Sequence, residues 1–271
     1  MKKVILYLKK ILLRIRYYIL FRKEFLFSAV IKEQNADVKK IPVIIISFNQ
    51  LYYLKKLISF LKSHSFKNIV IIDNNSNYPP LLNFLKEIEE EVRIYRLDEN
   101  LGHRVLWKKK DLFQYYSKGY YVVTDPDVIP VKECPYDFIE VFKKILDKNG
   151  NVAKVGFSLK IDDIPSTNKN KKTILNWENQ FWKQKDNNGN YISKIDTTFA
   201  LYRPRSIPPI TGSFFKAIRT KYPYTAKHGG WYIDSENLTE EQAYYLKNTD
   251  KSSSWLKLDS DGSPLKYKKY D

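Results

Sequence analysis

A chain of 271 residues with one cysteine, Cys134, has no intrachain disulfide available to it, a usage compatible with a reducing compartment. As a free thiol, Cys134 reads as a small, partly buried side chain. No G-x-G-x-x-G follows the first predicted strand and no G-x-x-x-x-G-K-[ST] occurs anywhere, which argues against a Rossmann dehydrogenase and a P-loop ATPase. Long apolar runs are missing too. In the opening MKKVILYLKKILLRIRYYILF, Lys9, Lys10, Arg14 and Arg16 interrupt every stretch before it reaches the length of a membrane span. No small-residue cleavage site follows, so the segment does not read as a signal peptide.

What the chain has in excess is positive charge, +17 in all. Residues 1–23 hold eight Lys or Arg and no acid, leaving +9 for the other 248 residues. That clustering, with no recognisable binding module, weighs against a basic nucleic-acid-binding protein, and no nucleic-acid partner is expected. On a helical wheel Val4, Ile5, Leu8, Ile11, Leu12, Ile15, Tyr18 and Ile19 share one side, and the Lys and Arg residues occupy the other. A basic amphipathic helix of this kind suits peripheral contact with an anionic membrane through residues 2–23; packing on the main domain or on a second subunit is the alternative. Three parts follow: a basic N-terminal segment 1–38, a main domain 39–250 divided at residue 160, and a polar tail 251–271 that Trp255 would pin to the body.

From Ile41 the pattern alternates between strands and helices. Val43-Ile44-Ile45-Ile46-Ser47 is a β-branched run typical of a buried strand, and Asn49 is a plausible N-cap for a helix carrying Leu51, Leu54, Leu57, Ile58 and Leu61. His64 ends that helix as a cap or surface residue. Strands are also predicted from Asn68 to Ile72, from Val92 to Leu97 and from Tyr120 to Thr124, with helices after Pro79-Pro80 and around Val105, Leu106 and Leu112. Such βαβα alternation predicts an α/β fold, a mostly parallel sheet flanked by helices. Ser47-Phe48-Asn49, Asp73-Asn74-Asn75-Ser76 and Asp125-Pro126-Asp127 each follow a strand, at the sheet edge where ligands collect.

Two aspartates in Asp-x-Asp spacing after a buried strand can hold a hard divalent cation, Mn²⁺ or Mg²⁺, whose remaining ligands are water and diphosphate oxygens. The same three residues can also be a turn whose aspartates cap backbone amides. The ordered series Pro42 to Asn49, Ile71-Ile72-Asp73-Asn74-Asn75-Ser76, Asn100-Leu101-Gly102 and Asp125-Pro126-Asp127 resembles the GT-A glycosyltransferases, family-2-like, over residues 40–160. The resemblance implies a nucleotide-sugar donor, a UDP-sugar first, contacted by Ser47, Phe48, Asn49, Asp73, Asn75, Asn100, Gly102 and Arg104. It further implies Asp127 as principal metal ligand, with Asp125 nearer the ribose or a metal-bound water. Transfer to a glycan or lipid-linked acceptor in cell-surface polysaccharide or lipopolysaccharide synthesis, at the cytoplasmic face of the inner membrane, would follow. A nucleotidyltransferase acting on a sugar phosphate is the enzymatic alternative.

Residues 161–250 form the expected acceptor side. Trp177 and Trp182 mark a polar stretch that serves either as a lid stacking on sugars or as rim packing. Residues 195–202 read as a strand with an acid, Asp196, at its entry. In His228-Gly229-Gly230-Trp231-Tyr232-Ile233-Asp234, the resemblance implies His228 as a further metal ligand and Asp234 as the base of an inverting transfer, with Asp196 the second choice. The family's usual Glu-Asp pair is here Ile233-Asp234, and Glu240-Glu241 supplies other acids nearby.

Overall fold

The computed structural model describes residues 28–196, 198–206 and 216–249, with isolated positions on either side. Most of the predicted N-terminal amphipathic helix, Thr197 and nearly all of the tail, Trp255 included, lie outside the described residues.

Strands β1 (Val43–Ser47), β2 (Ile69–Asp73), β3 (Arg93–Arg96) and β4 (Tyr121–Thr124) run parallel in the order β3-β2-β1-β4. Every residue of β1, β2 and β4 is buried, as unbroken β-branched runs covered on both faces require. Successive side chains serve opposite layers. Val43, Ile45, Ile69 and Ile71 meet Leu54, Leu57, Leu81 and Leu85 on one face, while Ile44, Ile46, Val70 and Ile72 meet Val105, Leu106 and Tyr121 on the other.

The helices are α1 (Ala29–Ala36), α2 (Tyr52–Ser63), α3 (Pro79–Glu87), α4 (Val105–Lys108), α5 (Lys110–Tyr116), α6 (Phe138–Lys148), α7 (Lys171–Glu178) and α8 (Glu240–Asn248). Beyond β4 the sheet continues through β5 (Val128–Pro130), β6 (Val152–Leu159), β7 (Tyr191–Ile192), β8 (Ala200–Tyr202) and β9 (Lys216–His228). Their order is β4-β8-β6-β9-β5, with β7 on β9, and antiparallel pairs now mix with the parallel pair β6–β9.

Helix α1 is tied to the domain. Ile31 enters the core, and Gln34 stands in for a missing strand neighbour: its Nε2 donates to Tyr120 O (2.9 Å) and its Oε1 accepts from Tyr120 N (2.8 Å). Cys134 is free and buried, and burial pushes its thiol up to about 12.

Several elements differ from the sequence expectation. The helix around Val105 and Leu112 breaks at Lys109, whose ψ of 91° is extended. Asn49 does not cap α2; it sits at φ 49°, and its side chain holds the turn after β2 instead. Residues 193–196 are not strand, so β8 begins only at Ala200. His64 does cap α2, stacked on Phe60 at 3.9 Å.

Candidate active site

The carboxyl ends of β1, β2 and β4 lie side by side. Register pairs Ser47 with Asp73 across β1 and β2, and Asn74 N donates to Ser47 O at 2.8 Å. Ser47 Oγ is buried with no hydrogen-bond partner. Asp73 is buried, which raises its carboxyl, while Ser76 and the Arg96 charge act in the opposite direction.

Much of the predicted donor edge is internally braced. Asn49 Oδ1 accepts the amides of Asn77 (2.8 Å) and Tyr78 (3.0 Å), and its Nδ2 donates to Asn77 Oδ1 (2.9 Å). Asn74, which the sequence placed only within a cluster, links β2 to the next loop. Its Nδ2 donates to Asn100 Oδ1 (2.7 Å) and Gly102 O (3.3 Å), and its Oδ1 accepts Leu101 N (2.9 Å). Gly102 makes that turn at φ 75°. Asn75, Asn100 and Arg104 are exposed beside it.

Helix α8 covers the start of α2. Neither Asn49 nor Leu51 caps α2 through its side chain; the Glu241 carboxylate accepts Leu51 N (2.9 Å) and Tyr52 N (3.0 Å). The Glu241 carboxylate is thus engaged at the first turn of α2. On the same helix, Tyr245 meets Phe48 edge to face at 6.4 Å and lies within the field of Asp125 and Asp127.

The second half of the site comes from β9. Val128 pairs with His228, which sets the histidine beside Asp127. His228 Nδ1 stands 3.2 Å from Asp127 Oδ2 without forming a hydrogen bond, and the imidazole stacks on Trp231 at 5.1 Å. Gly230 N donates to Asp127 Oδ2 (3.1 Å), and Gly229 N to Asp127 O (2.7 Å). A Cβ on Gly229 would fall 2.5 Å from the Tyr53 ring, whose hydroxyl donates to Gly229 O at 3.1 Å.

Among the described residues, no group of three or more His, Cys, Asp or Glu side chains converges to hold a metal alone. A carboxylate and an unpartnered imidazole nitrogen facing one another fit a hard cation that takes two ligands here and the rest from water and diphosphate. Asp234 lies apart from this pair in its contacts, because its Oδ1 accepts Glu236 N (3.0 Å) in its own turn. Asp196 lies in the irregular segment before β8, with an exposed side chain. Trp177 packs against Phe181 and Trp182 against Tyr191.

A parallel half-sheet with its polar ends gathered around an Asp-Pro-Asp turn, completed by mixed strands that bring in a histidine, defines a glycosyltransferase of the GT-A type. The chain belongs to glycosyl transferase family 2, whose model matches residues 43–207, more than half of its length. No curated protein matches it. Among solved structures, the mannosyltransferase PcManGT from Pyrobaculum calidifontis, in complex with GDP-Man and Mn²⁺, aligns at TM-score 0.42 and 12% identity, covering 83% of this chain and 67% of its own. S. aureus TarS 1–349 aligns at TM-score 0.44 and 11% identity, covering 70% and 60%. Glucosyl-3-phosphoglycerate synthase from Mycobacterium tuberculosis, in complex with phosphoglyceric acid, aligns at 0.36 and 12%, covering 62% and 59%. The chain thus spans about 60% of the length of the last two.

Proposed function

We propose that this glycosyltransferase takes its sugar from a UDP-sugar in a Mn²⁺- or Mg²⁺-dependent, inverting reaction. Asp127 and His228 would hold the cation and Asp125 would support it; the carrying observation is the unpartnered His228 Nδ1 facing Asp127 Oδ2 at 3.2 Å. When bound, the cation neutralises charge developing on the departing nucleoside diphosphate. Ser47 and Asp73 orient the base and ribose end, with the loop braced by Asn74 beside them and Arg104 available to a phosphate. A carboxylate takes the proton of the acceptor hydroxyl, with Asp234 and Asp196 as the candidates. Titration calorimetry with UDP-glucose and UDP-galactose tests the donor site: heat is expected with Mn²⁺ and none after EDTA. Equal binding without the cation would remove the metal from the reading.

The acceptor in this reading is a glycan or lipid-linked sugar of cell-surface polysaccharide or lipopolysaccharide synthesis, met at the cytoplasmic face of the inner membrane. Support comes from the N-terminal segment, where Leu8, Leu12, Ile15 and Ile19 are helical and 53%, 65%, 50% and 61% exposed. Their spacing puts all four on one helix face, beside a basic sequence suited to anionic headgroups. No helix among the described residues is long and apolar enough to cross a membrane. Co-sedimentation with phosphatidylglycerol vesicles, and not with phosphatidylcholine vesicles, is expected to disappear on deletion of residues 1–23. Unchanged co-sedimentation of the truncated chain would refute the membrane role.

A further inference from the structure

Lys154, on β6, commits its charge to backbone rather than to an acid. Its ammonium donates to Ile195 O (2.6 Å), Asp196 O (3.2 Å) and Tyr202 Oη (3.1 Å), and no ion pair forms with it among the described residues. On the neighbouring strand β9, Arg219 Nε donates to Lys194 O (2.8 Å), while its guanidinium pairs with buried Glu178. Three consecutive carbonyls, those of residues 194, 195 and 196, are therefore gripped by two cations rooted in adjacent strands. Enclosure brings the Lys154 ammonium down to about 8, the cost of desolvation outweighing the attraction of Asp196. Neutral amides could close a loop without that cost, and expensive charge placement of this kind concentrates at working sites.

The gripped segment passes the candidate site. Ala200 pairs antiparallel with Val123, so the residues preceding β8 run along the edge where β4 ends in Asp125-Pro126-Asp127. The Tyr202 side chain lies within the field of both Asp125 and Asp196, and Lys154 within that of Asp196 and Arg104. Ile195 and Thr198 are buried, whereas Asp196 between them is exposed and its carboxylate has no hydrogen bond or ion pair among the described residues. Asp234, the other acid, already caps its own turn.

We propose that Asp196 is the catalytic base and that Lys154 and Arg219 are positioning residues that hold its backbone. The proposal rests on the nucleotide-sugar reading above. As the acceptor oxygen bonds to the anomeric carbon, the bond from that carbon to the diphosphate oxygen breaks and its electron pair leaves with the nucleoside diphosphate. The hydroxyl proton passes to the Asp196 carboxylate.

The test uses the full chain with Mn²⁺ and UDP-glucose or UDP-galactose, follows UDP release with water as acceptor, and measures donor binding by calorimetry. Asp196→Asn is expected to lower kcat about a hundredfold with donor affinity kept, as loss of a general base does. Lys154→Met should lower kcat about tenfold, Lys154→Arg should recover most of it, and Lys154→Met added to Asp196→Asn should cost nothing more. That non-additivity marks two groups acting through one, which a purely structural lysine would not show. Wild-type turnover in Asp196→Asn, a larger loss in Asp234→Asn, or full additivity in the double variant each overturns the assignment. A wild type that neither binds nor turns over these donors fails the donor reading itself, and the base assignment falls with it.

Discussion

Asp127→Ala is expected to reduce sugar transfer by about a thousandfold or more while leaving the protein folded. The size follows from the work assigned to the residue: it would hold the cation that neutralises the leaving diphosphate, and loss of a single preorganised electrostatic contact already costs about a hundred- to a thousandfold. The fold is spared because the neighbouring chain is held by backbone. Gly229 N reaches the Asp127 carbonyl at 2.7 Å, a bond that survives any side-chain change. The one side-chain hydrogen bond lost is that from Gly230 N to Oδ2, worth about 1 kcal/mol or a shift of about 2–4 °C in Tm, together with the 3.2 Å contact to His228 Nδ1. Asp127→Asn sharpens the test, because it keeps an acceptor for Gly230 N and removes the charge. It should melt like the wild type and transfer as poorly as Asp127→Ala. Transfer retained in either variant would move the metal elsewhere.

The parts of the fold legible in the sequence are those fixed by short-range chemistry. Val43 to Ser47 and Ile69 to Asp73 read as buried parallel strands because every position is apolar up to the polar end, and each is buried. Asp125-Pro126-Asp127 stood out because a strand stops there. What was hidden depends on partners far along the chain. Gly230 meets Asp127 across 103 residues, and Glu241 caps the amide of Leu51 across 190. No local pattern announces a helix whose cap is supplied by a helix near the other end of the chain, so Asn49 was the natural reading.

The region before β8 misled for a different reason. Ile195, Phe199 and Leu201 are apolar and buried, as in a strand, although Ile195 packs in the opposite layer from the other two. The carbonyls of residues 194–196 turn instead to Lys154 and Arg219, so ladder pairing is confined to Ala200–Tyr202. Half-buried Lys154 and buried Arg219 take up those carbonyls, and neither cation is recognisable in that role from its own neighbours in sequence.

Glu178→Ala carries the largest expected loss of stability. Glu178 and Arg219 form an ion pair with side chains 2% and 4% exposed, and the guanidinium also lies 4.2 Å over the Phe181 ring. Burial drives both groups toward their neutral forms, the carboxyl up and the guanidinium down, so each depends on the other for its charge. Removing the acid alone strands a buried cation and should cost about 3–5 kcal/mol, read from the urea midpoint at constant slope. Replacing both, as Glu178→Leu with Arg219→Met, removes the two charges together and should return most of that stability, as apolar replacements of buried pairs do. The double variant nevertheless lacks the Arg219 Nε bond to Lys194 O. If that bond serves Asp196, turnover should stay low in a protein whose stability has recovered. Recovery of both together would reduce Arg219 to a packing role and leave Lys154 as the sole support of the segment.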